Sequence, residues 1–261
     1  APMNDALLSG SIDVASTGVP GFLALWSKGR GKSSVIGLAS YGWFGATLVT
    51  RNPAVKRLED FTEKDRIAVP SVKTSFQAIM LRMAAARIYG YDKVDHFDAW
   101  TVTRGHPDAV AAFMGNTEIN SHFSIIPYID TELTAPNAHV VATSTQLAGE
   151  PMSNGTTYLT QAYYQANPKT VEALYKALVQ SVALINADPP RAAAIYLAIS
   201  NEKTPAAEIE AMIRRPETIY DVAPHGVVSM GKFLFKTGTI AAEPKDWKDL
   251  YLPFVHGEKG S

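Results

Sequence analysis

Ile67-Ala68-Val69-Pro70-Ser71-Val72-Lys73-Thr74-Ser75-Phe76 is the stretch on which the fold turns. Three apolar residues read as a buried strand, Pro70 stops it, and four of the next five residues are Ser, Lys or Thr before an apolar helix pattern begins at Phe76. A helix start leaves N–H groups unpaired and carries partial positive charge, so hydroxyls and a lysine gathered there can hold a small anion. The plainer use is an N-cap, with Thr74 or Ser75 satisfying the first turn. Context has to decide between them.

The same unit recurs along the chain. Met3 to Leu8 reads as a helix closed by Gly10, Ile12 to Ala15 as a strand, and Ser16-Thr17-Gly18 as a hydroxyl turn before a helix from Pro20 to Trp26, closed by Gly29. Val35 to Ala39 is another strand, ending at Ser40-Tyr41-Gly42-Trp43-Phe44-Gly45, and Thr47 to Thr50 is extended again. Phe76, Ile79, Met80, Met83 and Ala84 fall on one face of a helix that Gly90 ends. Farther on, His96 to Thr103 reads as extended, Pro107 to Met114 as helix, Thr117 to Ser121 as extended, Ser124 to Leu133 as helix and His139 to Thr143 as strand. After a turn region from Gly149 to Gly155, Thr157 to Thr160 is a short strand. The rest reads as helical scaffold: Pro168 to Asn186, Pro189 to Ile199, Pro205 to Arg214 and Gly226 to Phe235. This alternation predicts an α/β protein with open parallel sheets flanked by helices.

Composition removes several function classes. A chain of 261 residues with 46% apolar residues can bury a large core. A net charge of −1 gives neither nucleic acid nor an anionic membrane a basic surface, so any anion site is local. No apolar run reaches the roughly 18 to 20 residues of a spanning helix, and no basic-then-apolar leader opens the chain, which predicts a soluble protein without membrane insertion. Absence of cysteine removes disulfides, thiol catalysis and thiolate metal sites. His96-Phe97-Asp98 and His106-Pro107-Asp108 are too sparse for a metal site, no G-x-x-x-x-G-K-[ST] loop or G-x-S-x-G elbow occurs, and nothing calls for a cofactor.

Ligands of open α/β sheets bind beyond the carboxyl ends of the strands. Ser16-Thr17, Ser40-Tyr41 and Ser71 to Ser75 each take that place, and neutral donors there suit a sulfonate, nitrate or carboxylate. Tyr41, Trp43, Phe44, Phe76 and Phe123 are either walls for an organic tail or ordinary core.

Met3-Asn4-Asp5-Ala6-Leu7-Leu8-Ser9-Gly10-Ser11-Ile12-Asp13-Val14-Ala15-Ser16-Thr17-Gly18 resembles the A-L-x-x-G-x-x-D-x-A signature of the periplasmic solute-binding proteins of ABC transporters for nitrate, sulfonate and taurine. Leu58-Glu59-Asp60-Phe61 followed by Ile67 to Ser75 is similar to that family's strand and serine-rich helix start. Ala109-Val110-Ala111-Ala112-Phe113-Met114-Gly115 with Glu118-Ile119-Asn120, and the helix from Asn167-Pro168, extend the resemblance over nearly the whole chain. It implies two α/β lobes joined by two crossover strands, residues 1 to 46 plus 150 to 261 and residues 47 to 149, crossing near Trp43 to Arg51 and near Thr143 to Met152. A small anionic solute, sulfonate or taurine-like, would sit in the interdomain cleft of a periplasmic monomer and pass to the membrane permease of the transporter.

The resemblance makes Ser16, Thr17, Tyr41, Ser71, Thr74, Ser75 and His122 the expected ligand contacts, walled by Phe76 and Phe123, with Lys73 a weaker candidate. Two departures stand out. Asn120 replaces a common aspartate, and Ser121-His122-Phe123-Ser124 replaces a tryptophan-bearing form, so His122 either selects a different ligand or serves as a hydrogen-bonded structural histidine. The family's opening strand and helix, with its export signal, would precede Met3 and are expected to be missing. An aromatic carboxylate or a pyrimidine is the alternative ligand class, and a hydrolase is the alternative activity. The related thiamine-pyrimidine synthases depend on cysteine and are excluded, and no helix-turn-helix points to a regulator.

Overall fold

The computed structural model describes residues 2–29, 34–200 and 203–261. The chain divides into two compact units, Ala1–Trp43 with Met152–Ser261, and Phe44–Pro151.

The first unit opens with α1 (Pro2–Ser9), β1 (Val14–Gly18), α2 (Val19–Lys28) and β2 (Val35–Ser40). A two-residue strand, β3 (Trp43–Phe44), marks the boundary. The second unit holds β4 (Thr47–Thr50), β5 (Ile67–Val69), α3 (Phe76–Tyr89), β6 (Thr101–Thr103), α4 (His106–Met114), β7 (Ser121–Ser124), α5 (Tyr128–Leu133), β8 (His139–Thr143) and α6 (Ser144–Ala148). Back in the first unit come β9 (Gly155–Thr160), α7 (Gln161–Ala166), α8 (Pro168–Ala187), α9 (Pro189–Ser200), α10 (Ala206–Ile213), β10 (Thr218–Ile219) and α11 (Val227–Lys236).

In the first unit β9 lies between β1 and β2 and runs antiparallel to both, with Ala15 opposite Tyr158 and Ile36 opposite Leu159. The expectation of purely parallel sheets is corrected here. β1 and β2 point the same way, but the returning strand fills the gap between them from the other direction, and strand pairing takes whichever edge is unpaired. Residues of β9 alternate between the faces, so Tyr158 meets Phe22 of α2 at a ring separation of 5.1 Å, while Leu159 packs with Leu38, Val171 and Leu252 and with Leu174 and Leu178 of α8. Helices thus cover both faces. The segment around Tyr251 adds a further parallel rung beside β2, with Gly37 N–H donating to Leu250 O and Leu252 N–H to Gly37 O, each at 2.8 Å.

In the second unit the strand order is β6-β5-β7-β4-β8. β6, β5 and β7 are parallel, whereas β4 runs antiparallel to β7 and β8. The parallel part matches the helix-linked alternation of the sequence, and the antiparallel strand is the one by which the chain enters this unit. Val49, Ala68, Ala109, Phe113, Ile119 and Ile129 form the core between the sheet and α4 and α5. α3 is buried at Phe76 and Ile79, as its pattern predicts, and also at Gln77 and Ala85. A helix that carries neighbours on more than one side buries more than one stripe.

Four local expectations change. Ser16 and Thr17 lie within β1 rather than in a turn after it. The segment from His96 to Trp100 forms tight helical turns instead of a strand, leaving only Thr101–Thr103 extended. The strand expected over Thr117 to Ser121 is displaced to Ser121–Ser124, where Leu48 and Phe123 pair across β4 and β7. α6 falls between the expected strand and turn, where no element was expected; Thr143 and Gln146 cap it and Gly149 ends it at φ 87°.

Candidate functional site

Because β5, β6 and β7 are parallel, their carboxyl ends lie on one edge of the second unit's sheet. α3 and α4 both start at that edge, one turn after β5 and β6, and their first-turn N–H groups bring partial positive charge to it. Local chemistry builds the turn between β5 and α3. Ser71 Oγ and Thr74 Oγ1 bond each other at 2.7 Å, Val72 N–H donates to Thr103 Oγ1 at 3.1 Å, and Ser75 Oγ accepts from Ala78 N–H at 3.3 Å. Ser75 is therefore the N-cap of α3. Ser71 and Thr74 are not used as caps, and Thr74 and Lys73 are exposed. Lys73 has φ 67°, the left-handed conformation that reverses the chain before the helix.

Behind this edge runs a buried polar chain. His122, on β7, bonds Glu132 Oε1 of α5 through Nδ1 at 2.5 Å and His106 Nδ1 through Nε2 at 2.9 Å; His106, the first residue of α4, reaches the Gln77 carboxamide of α3 at 3.3 Å. His122 and Glu132 are both 0% exposed, and Tyr128 stacks on His106 at a ring separation of 5.9 Å. Burial, helped by charge on His122, lowers the His106 pKa to about 4. So His106 is neutral near pH 7. Among the described residues Glu132 Oε2 has no hydrogen-bond partner, which leaves a buried carboxyl group half satisfied.

His122 is hydrogen-bonded on both ring nitrogens within the unit. Phe123, 0% exposed, and Phe76, also buried, are core side chains there. Asn120, the other departure noted above, has a structural use: its Nδ2 donates to Asp65 Oδ1 at 2.8 Å and its Oδ1 accepts from Arg66 N–H at 3.0 Å.

A second hydroxyl-lined edge belongs to the first unit, where β1 and β2 end and β9 begins. Ser16 Oγ lies 3.4 Å from Thr157 Oγ1, and Thr17 Oγ1 lies 3.1 Å from the Tyr158 hydroxyl, which donates to Asn4 Oδ1. Tyr41 bonds Ser16, and burial outweighs that bond to push its pKa above the ordinary tyrosine value. A methyl group on Gly155 would meet the Tyr41 oxygen at 1.6 Å, so only glycine lets the ring lie there. Ser40 Oγ donates to Ser153 Oγ at 2.9 Å.

Of the residues singled out from sequence, Ser71, Thr74 and Ser75 come together in the second unit, and Ser16, Thr17 and Tyr41 in the first. Sequence reading passed over Gln77, Glu132 and Tyr128 and set aside His106. His106-Pro107 at a helix start was a visible signal, but Glu132 in a six-residue helix carries none.

Both edges offer hydroxyl and N–H donors. Arg104, beside α4, is paired with Glu118. That donor set suits a small anion bound without a full counter-charge.

No family model matches the sequence, and no curated protein matches it. Solved structures do match in fold. The alkanesulfonate-binding protein SsuA from Xanthomonas axonopodis pv. citri, bound to MOPS, superposes with a TM-score of 0.69 at 17% identity, over 92% of this chain and 80% of that one. The periplasmic aliphatic sulphonate binding protein SsuA from Escherichia coli gives 0.68 at 18% identity, over 96% and 84%. A putative sulfonate-binding SsuA from Methylobacillus flagellatus KT gives 0.64 at 16% identity, over 98% and 76%. The chain has the fold of the periplasmic binding proteins of ABC transporters.

Proposed function

We propose that this chain is the solute-binding component of an ABC importer, working outside the cytoplasmic membrane, and that its solute is a small organic anion of the alkanesulfonate or taurine type. The observation that carries the reading is the Ser71 and Thr74 hydroxyl pair, exposed at an edge where two helices start and not consumed as a cap. Ser71, Thr74 and Ser75 receive the anionic head on the second unit, and Ser16, Thr17 and Tyr41 are the candidate contacts on the first. His122, Phe123 and Phe76, all buried, support the second unit's edge from within. Proteins of the same fold named for sulfonate binding favour this ligand class over others.

The role is capture and delivery to a permease rather than turnover. Among the described residues no helix is long and apolar enough to cross a membrane. Titration calorimetry against ethanesulfonate, taurine, nitrate, benzoate and a pyrimidine tests the assignment. Binding of a sulfonate, weakened by Ser71→Ala with Thr74→Ala, supports it. Binding of benzoate or the pyrimidine alone moves the ligand to the alternative class, and failure of every anion to bind overturns the reading.

A further inference from the structure

The chain of bonds from Glu132 to Gln77 can run in two directions, and one proton chooses between them. A neutral imidazole carries one N–H and a charged one carries two. With His122 neutral and its proton on Nδ1, it donates to Glu132 and its Nε2 must accept from His106 Nδ1–H. His106 Nε2 then accepts, and Gln77 donates its amide N–H to it. The structure places the Gln77 nitrogen 3.3 Å from His106 Nε2, the contact that this direction needs. Adding one proton makes His122 a donor at both nitrogens. His106 Nδ1 must now accept, its own proton moves to Nε2, and only the Gln77 oxygen can receive it. The carboxamide turns over.

We propose that Gln77 is a specificity-determining residue of the anion site, and that one proton on the Glu132, His122 and His106 chain sets its polarity, carbonyl oxygen outward without the proton and N–H outward with it. The proposal rests on the anion-site reading of the Ser71–Ser75 turn. Gln77 is placed for the role, since it stands two residues after the Ser75 cap in the first turn of α3 and is 6% exposed.

The surroundings favour a single added proton. A buried carboxylate with an unpartnered Oε2 is costly next to a neutral imidazole and is better matched by a charged one. Burial and the neighbouring charge keep His106 from taking a second proton until about pH 4. The groups facing the chain are few. β4 and β5 present Val49 and Ala68 at the register of His122, α5 presents Glu132 and the stacked Tyr128, α3 presents the uncharged Gln77, and Asp108 on α4 is exposed. An anion prefers the outward N–H, so binding it takes up a proton and tightens as pH falls.

Ligand-free protein labelled with 15N allows a direct test, because long-range 1H–15N spectra report which imidazole nitrogen is protonated. Between pH about 8 and about 5, the interval in which an unperturbed histidine changes charge, His106 should pass from Nδ1–H to Nε2–H as the chain takes up its proton. Glu132→Gln should hold His106 as Nδ1–H throughout. A His106 ring that keeps one tautomer across the interval in the wild-type protein overturns the proposal, whether or not the variant folds. Ethanesulfonate titrations supply the second readout. Wild type should bind more tightly at the lower pH, and Gln77→Leu should weaken that binding about tenfold, the worth of one hydrogen bond to a charged group, and remove its pH dependence. Equal affinity and pH dependence in both proteins overturns the role of Gln77. If no anion binds while the tautomer switch persists, the anion-site reading fails and the proton-set polarity of Gln77 stands.

Discussion

Asn120 and Asp65, 55 positions apart, lock the start of β5 to the start of β7: Asn120 Nδ2 donates to Asp65 Oδ1 at 2.8 Å, while Asp65 is closed to solvent. Asp65 also accepts from Asn52 Nδ2 and from Thr62 N–H, each at 2.8 Å. A carboxylate that accepts several bonds is stabilised only while it stays charged, and only by donors. Asn120→Asp replaces a donor by a second carboxylate. It should lower stability by about 3 kcal/mol at neutral pH, read from the urea midpoint. Adding Asp65→Asn restores one donor and one acceptor across the contact and should recover part of the loss. An unchanged midpoint in the single variant would show that the contact is not closed in solution.

The same carboxylate gives the protein an acid limb. Burial pushes the Asp65 pKa upward, but bonds from Asn52, Thr62 and Asn120 outweigh it and leave the pKa below the ordinary value. A pKa that is lower folded than unfolded contributes stability above the unfolded value of about 3.9, and that contribution is lost as pH falls through the folded value. Denaturation midpoints should therefore be flat in Asp65 terms from pH 7 to about 5 and fall in stronger acid. Asp65→Asn should start lower and show a shallower acid slope.

Cap and ligand roles separate within the turn before α3. Ser75→Ala removes the acceptor of Ala78 N–H and should cost about 1 kcal/mol of stability. Ser71→Ala with Thr74→Ala removes a partly exposed hydroxyl pair, costing stability less than about 0.5 kcal/mol while weakening anion binding. Thermal melts and calorimetry on the same two variants read the two quantities. A binding loss confined to Ser75→Ala would assign the hydroxyl pair no part in the site.

Gly37 is fixed by a ring rather than by a turn. A methyl group there would approach two Tyr251 ring carbons to 2.5 Å, and that ring is 1% exposed with its hydroxyl donating to Thr156 Oγ1 at 3.0 Å. Gly37→Ala should cost about 1 to 3 kcal/mol from overpacking, measured by urea denaturation. A variant as stable as the parent would mean that Tyr251 can withdraw from β2.

What the sequence settled by itself was local. A cap at Thr74 or Ser75, Gly90 as a helix stop, the alternation of strand and helix from β5 to α4 and the apolar faces over them follow from residues a few positions apart, whose preferences act whatever the rest of the chain does. Ser71 to Ser75 could also be placed at a strand's carboxyl end on the same grounds. Strand direction at β4 and β9 could not, because an antiparallel neighbour presents the same alternation as a parallel one and the choice lies in which edge is left to pair. Nor could the buried chain behind the site. Gln77, His106, His122 and Glu132 come from four elements, and nothing in the residues around Glu132 marks it as the partner of a histidine ten positions earlier. Tertiary structure decided that pairing, because a charge taken out of water is tolerated only where the fold brings it a partner.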